Sequence, residues 1–214
     1  MTTYQRDDQL AVQAEGRIGG RIETSGAYTG RFTLARERIA RTGARGIEFT
    51  FEADDGRIAR YLTLWVARAD GSRLDYGYGL LSALMVILGL STIESKPAVI
   101  DEWDPASGQW LPAQVEVFAD LMHKPVGVLL QREEREWEGR TQVAMRIVEF
   151  FDPRDRRTAG ELLADVRQPQ VLERLIASLR PTVLRATRSA ELAPASGAAP
   201  AAGFADFVED DIPF

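Results

Sequence analysis

Three stretches of two-residue alternation, one apolar stretch of helical length and two further alternating stretches follow one another along this chain. That order limits the folds open to it, because each half-apolar strand must bury one face against the others. The first stretch runs from about Ala27 to Ala40, with Phe32 and Leu34 on one face and Arg31 and Thr33 on the other. The second is Ile47–Glu52, whose Ile47, Phe49 and Phe51 point inward while Glu48, Thr50 and Glu52 point out. Asp54-Asp55-Gly56 is a hairpin signal. The third stretch, from Arg57 to Ala67, sets Leu62, Leu64 and Val66 against Tyr61, Thr63 and Trp65. Leu80 to Leu90 is apolar nearly all round and predicts a buried helix ended by Gly89. Tyr76-Gly77-Tyr78-Gly79, just before it, is expected to be a mobile aromatic loop. Lys96 to Phe118 predicts an inserted hairpin that turns at Asp104–Gly108 and projects from the domain. The last two strands are Pro125–Glu134 and Val143–Phe151. Two helices close the series: one begins with the capping-box pair Thr158 and Glu161, and one carries Val171, Leu172, Leu175, Ile176 and Leu179 at helical spacing.

The expectation is therefore a mainly β domain with helices. Three strands, a helix and two strands is the order of the five-stranded oligonucleotide-binding (OB-fold) barrel, here with an inserted hairpin, C-terminal helices and a disordered acidic tail. The domain is expected over 27–180, after a flexible N-terminal arm at 1–26. From Ser189 to Gly203 the chain is rich in Ala, Pro, Ser and Gly. A disordered linker is expected over 181–205, ahead of a distinct tip at 206–214.

Composition excludes several kinds of chemistry. The chain has no cysteine and one histidine, His123. Thiolate metal sites, disulfides and cysteine nucleophiles are out, and a zinc site or a Ser-His-Asp triad would rest on one imidazole. Asp54-Asp55 and Glu133-Glu134 sit at a turn and a strand end, where solvated charge is the usual explanation, and there is no Walker-type glycine-rich loop. The reading is no enzyme, no cofactor and no metal. No apolar run is long enough to span a membrane, and Met1–Asp8 carries no apolar signal stretch, so a cytoplasmic location and no membrane partner are expected.

The net charge of −6 is unevenly spread. Five of the 32 acidic residues follow Ser189 with no base among them, which leaves 27 against 26 basic residues, a net of −1, for the remainder. A near-neutral body can still carry a basic face. Nearly all of the cations are arginine, which stacks on bases and forks onto phosphates, although a GC-rich genome also yields arginine by default. Tyr61 and Trp65 share a strand face roughly 13 Å apart, a spacing that suits base stacking. For the strand alone, packing under a helix or at a subunit interface is the commoner reason for such a pair.

The final residues, Asp206 to Phe214, combine acids with Phe207, Val208, Ile212 and Phe214. They read either as a docking peptide or as a frayed end that packs on the domain. Asp210-Asp211-Ile212-Pro213-Phe214, after its Ala/Pro/Gly linker, resembles the acidic tip of bacterial single-stranded DNA-binding proteins. The core lacks the strand motifs of the ordinary bacterial members. Gly46–Glu52 with Tyr61–Trp65, and Lys124–Gln131, look more like phage- or prophage-encoded single-stranded DNA-binding proteins. The resemblance implies sequence-independent binding and protection of single-stranded DNA in replication, recombination and repair. It implies partner docking by Asp206, Phe207, Glu209, Asp210, Asp211, Ile212, Pro213 and Phe214, which would call host replication and repair proteins. The stacking candidates are Tyr61 and Trp65 first, then Tyr28, Tyr76, Tyr78 and Trp137. The phosphate candidates are Arg31, Arg36, Arg38, Arg45, Arg57, Arg60 and Arg140. Glu48 and Glu52 on the same outer face would repel a DNA backbone unless they flank the groove or neighbouring arginines offset them. A homo-oligomer is left open, as are site size, the partner enzymes and strand annealing. The alternative is an adaptor or decoy that engages host repair enzymes through the tip without binding DNA.

Overall fold

A computed structural model describes residues 19–104, 106–137, 140–180 and 182–185. The acidic tip and most of the arm and linker lie outside the described residues, as do the side chains of Trp137 and Arg140.

The protein is mainly β with a few helices. Its strands are β1 (Gly26–Ile39), β2 (Arg45–Ala53), β3 (Ile58–Ala67), β4 (Lys96–Asp104), β5 (Gln109–Val117), β6 (Pro125–Trp137), β7 (Arg140–Phe151) and β8 (Thr182–Arg185). The helices are α1 (Asp75–Ile87), α2 (Ala159–Leu163) and α3 (Val171–Ser178). All strands join one sheet, antiparallel except for β8, which runs parallel to β6. Thr182–Arg185 belongs to the stretch assigned to the linker by composition, and its backbone pairing is what composition could not reveal.

β1 holds the sheet together. Its first half, Gly26–Arg31, pairs with β6, and Gly30–Ile39 pairs with β2, with a register shift between Phe32 and Leu34. A bulge of this kind bends a strand and raises its local twist, which lets one strand serve two partners on different sides. β2 then pairs β3, and β6 pairs β7. β3 and β7 come within 8 Å between Cα atoms, but no ladder joins them among the described residues, so the sheet is not closed. The β4–β5 hairpin hangs from β1 through one bridge, Arg36 to Val117.

The core lies inside this curl. Phe32, Phe49, Phe51 and Phe150 are all fully buried, and the Phe32 ring meets the other three at centroid distances of 4.5, 5.6 and 6.1 Å. Each such side chain contributes roughly 1.5–3 kcal/mol by burial. Ile22, from the segment read as a loose arm, is 1% exposed, and Arg21 bridges to Ile58. Residues 21 and 22 are therefore tied to the sheet before β1 begins.

α1 covers the curl with Leu80, Leu81 and Leu84. It starts at Asp75, so Tyr76 to Gly79 is helix and not the expected loop. The reason is packing: a Cβ on Gly77 would overlap the carbonyl of Trp65, so this turn needs glycine to approach β3. The helix ends as its sequence predicts. Gly89 has φ +66°, Leu90 N–H bonds to the Met85 carbonyl and Gly89 N–H to that of Val86, a Schellman arrangement.

Below α1, α2 opens with the expected capping box of Thr158 and Glu161. The other oxygen of the buried Glu161 carboxylate accepts from the N–H groups of Gln170 and Val171, so one side chain ties α2 to the start of α3. Burial opposes its charge, but those four hydrogen bonds outweigh it and hold the pKa below the usual value.

Candidate nucleic-acid interface

The outer face of β1–β2–β3 is built in cross-strand rows. Arg38, Gly46 and Trp65 share one row, and Arg36, Glu48 and Thr63 share the next. Alternation sends these side chains away from the phenylalanine core. Gly46 is what lets the indole lie across the sheet. A Cβ there would sit 2.7 Å from the Leu64 carbonyl oxygen and 2.9 Å from a ring carbon of Trp65. With a glycine the large ring spreads over the neighbouring strand and stays partly exposed.

Tyr61 reaches the surface differently. β2 and β3 shift register between Phe49 and Phe51, and Tyr61 occupies the extra position with φ 60° and half of its surface exposed. A non-glycine residue in this left-handed region costs roughly 1–3 kcal/mol, and such residues concentrate at functional sites. Arg60, in the same bulge, is exposed and has no ion-pair partner among the described residues.

Arg36 departs from its expected role. It was a phosphate candidate, yet it is 7% exposed and held by Glu48 on one side, at 2.8 and 2.7 Å, and by Glu102 of β4 at 2.8 Å on the other. Burial works against its charge, and the two carboxylates outweigh that and raise its pKa. Glu48 points outward as the alternation requires, but it is only 4% exposed because Arg36 and the hairpin cover it. Arg31 is likewise paired with Glu52, at 2.9 Å. Arginines thus stand beside both of the acids that a DNA backbone would meet on this face.

The other candidates are scattered. Tyr28 lies at the far end of β1, where it donates to the Thr24 carbonyl and carries the Arg57 guanidinium 5.1 Å above its ring. Arg57 is also bound to Asp55. Arg45 sits at the start of β2, 3.9 Å from Glu37. Tyr76 and Tyr78 stand on the first turn of α1. Arg73 lies 4.3 Å over the Tyr78 ring, and the Tyr76 hydroxyl reaches toward the Val148 carbonyl. Burial pushes the Tyr76 phenol above its ordinary value. Arg38, Gly46 and Trp65 meet in one cross-strand row, the Tyr61 bulge lies farther along β3, and Gly77 packs on the Trp65 carbonyl between Tyr76 and Tyr78; Tyr28 and Arg57 meet each other at the opposite end of β1 from Arg38.

Two aromatics were missed as candidates. Trp103 and Trp110 face each other across the β4–β5 hairpin at 5.7 Å, 45% and 56% exposed. The signal was present in the alternation of Val99, Asp101 and Trp103 about the turn.

Among the described residues no cluster of His, Asp and Glu could hold a metal ion, and no helix is long and apolar enough to cross a membrane. A cleft of about 250 Å³ lies between Glu23, Ser25, Arg132 and Leu179 and includes none of the candidate residues. No family model matches the sequence, and no curated protein matches it.

Proposed function

We propose that this chain binds single-stranded DNA without reading its sequence, on the outer face of β2 and β3, and recruits replication and repair proteins through its acidic C-terminal tip. One observation carries the DNA reading. Trp65 is laid across Gly46 in the row of Arg38, and farther along the same strand a bulge turns Tyr61 outward. An open aromatic surface beside guanidinium groups is what stacking on unpaired bases requires, since every base has a face to stack and phosphates follow the cations. The fold is proposed to be an OB barrel formed by β1, β2, β3, β6 and β7, with α1 across one end. The split pairing of β1 and the approach of β3 to β7 support it. The OB ligand face is then the one that bears Trp65.

Titration with oligo-dT tests this reading. Tyr61→Ala and Trp65→Ala are each predicted to weaken binding by roughly 1–3 kcal/mol, with affinity falling as salt rises. A double mutant that binds as the parent does removes the platform. Affinity that depends on sequence and ignores salt removes the class. The adaptor reading gains weight from the carboxylates already paired with Arg31, Arg36 and Arg57. Under it the chain would pull down repair enzymes but leave oligo-dT unbound.

A further inference from the structure

The β4–β5 hairpin is an arm that the rest of the molecule does not complete. Nine residues of each strand pair with one another, and one bridge joins β5 to β1. β4 is a terminal strand of the sheet, so one edge of Lys96–Asp104 is without a neighbouring strand among the described residues. A two-stranded ribbon is marginal in water, and three or more strands are needed for stability. This ribbon is also apolar where it meets solvent: Val99 is 71% exposed, and Trp103 and Trp110 are about half exposed on the same face.

We infer that β4 pairs antiparallel with β4 of a second copy about a two-fold axis at Ile100, making one four-stranded sheet from two arms. A two-fold axis normal to the sheet requires that residues of equal parity oppose each other, because side chains alternate between faces. The register centred on Ile100 uses all nine residues of the strand. It sets Lys96 opposite Asp104 of the other copy at both ends, Pro97 opposite Trp103, and Val99 opposite Asp101. No two like charges then stand directly across from each other. Moving the centre to Asp101 puts Asp101 against Asp101. Moving it to Val99 leaves Asp104 unmatched and sets Lys96 against Glu102, which Arg36 already holds. Opposite charges across a ladder stabilise it and like charges weaken it.

The occupant is a second copy and not DNA because the hairpin carries Asp101, Glu102, Asp104 and Glu116 against Lys96 alone. That charge repels phosphate, whereas β4 is self-complementary. The arm is anchored for this task. Glu102 is bound to Arg36, and Phe118 N–H bonds to the Ala35 carbonyl at its base. This inference does not depend on DNA binding.

Sedimentation of the full chain tests it. A species of twice 23.7 kDa is expected at micromolar concentration. Asp104 also holds the turn by accepting from the Ala106 and Ser107 N–H groups, so the charge is reversed at Lys96: Lys96→Asp and Lys96→Glu each create two like-charge pairs and should weaken the dimer by about tenfold or more, whereas Lys96→Arg should keep it. The chain has no cysteine. Ile100→Cys should therefore give one oxidised dimer, since facing Cα atoms in a ladder lie within disulfide reach. Ala113→Cys, one strand further in, should not. A monomer at all concentrations overturns the inference, as does a dimer indifferent to both Lys96 reversals. A monomer whose Trp103→Ala/Trp110→Ala form loses oligo-dT affinity would assign the arm to DNA instead.

Discussion

Replacing Arg36 with methionine probes the arrangement that ties the hairpin to the sheet. The guanidinium meets Glu48 through Nε and Nη2 at 2.8 and 2.7 Å and Glu102 through Nη1 at 2.8 Å. The side chains of Arg36 and Glu48 are 9% and 5% exposed, whereas Glu102 is 44% exposed. Methionine keeps much of the volume but leaves Glu48 buried and unpaired. Removing one partner of a buried pair costs about 3–5 kcal/mol, a large part of the 5–15 kcal/mol that holds a typical protein together. For a chain of this size the midpoint should fall by about 6–20 °C. The exposed arm of the cluster is worth far less, and Glu102→Gln should cost at most about 1 kcal/mol. Arg36→Met with Glu48→Leu removes both charges and should recover most of the loss. Urea unfolding followed by tryptophan emission reads all three. A single variant that costs under about 1 kcal/mol, or a double variant as unstable as the single, would refute the buried-pair account. The same double variant speaks to DNA. If Arg36 stays with Glu48 in the complex, the salt dependence of binding is unchanged; a slope reduced by about one ion means that Arg36 turns to phosphate.

Gly46→Ala should destabilise the protein by about 1–3 kcal/mol through crowding against Leu64 and Trp65, and should shift the tryptophan emission and weaken oligo-dT binding together. Glu149 and Glu161 should respond to pH with opposite signs. Burial raises the Glu149 pKa, so its ionisation costs stability as pH rises toward neutrality. Glu149→Gln should therefore raise the melting temperature at pH 7 but not in acid. The Glu161 pKa is lowered by its hydrogen bonds despite burial, so its contribution is present at neutral pH and lost as pH falls through the folded value. Glu161→Gln should lower the melting temperature at pH 7, with the gap closing in acid. Deleting Phe214 should abolish pull-down of partner enzymes and leave oligo-dT affinity intact.

The alternation in Ile47–Glu52 was enough to name the buried face of β2, and Ile47, Phe49 and Phe51 are at most 2% exposed. It could not say that Glu48, on the other face, is also buried, because its cover is the Arg36 side chain, which Glu102 of the hairpin holds in place. Alternation reports which way a side chain points, not what waits there. Alternation in a regular strand sends Tyr61 outward, and it does face out, but by a bulge with a left-handed backbone that no local pattern signals. Gly77 and Gly79 argued against helix on propensity. The helix forms because tight contact with β3 and the burial of Leu80, Leu81 and Leu84 outweigh the roughly 1 kcal/mol that each glycine costs. The capping box, the hairpin turn at Asp54–Gly56 and the glycine stop of α1 were legible, since each is a short-range device.

Gly46 and Gly77 act on the same residue. Gly46 makes room for the Trp65 ring, and Gly77 makes room for the Trp65 carbonyl. The exposed lie of the Trp65 ring and the seat of α1 are thus both set by close backbone approach to β3. Charge contributes less than the arginine count suggests. Arg31, Arg36 and Arg57 are already matched by Glu52, Glu48 and Asp55, so a phosphate arriving at any of them replaces a carboxylate and not a counterion. Counterion release, the term that makes nucleic-acid affinity steep in salt, counts only cations that DNA newly neutralises. A face built this way should hold DNA chiefly by stacking, with a salt slope well below its number of arginines.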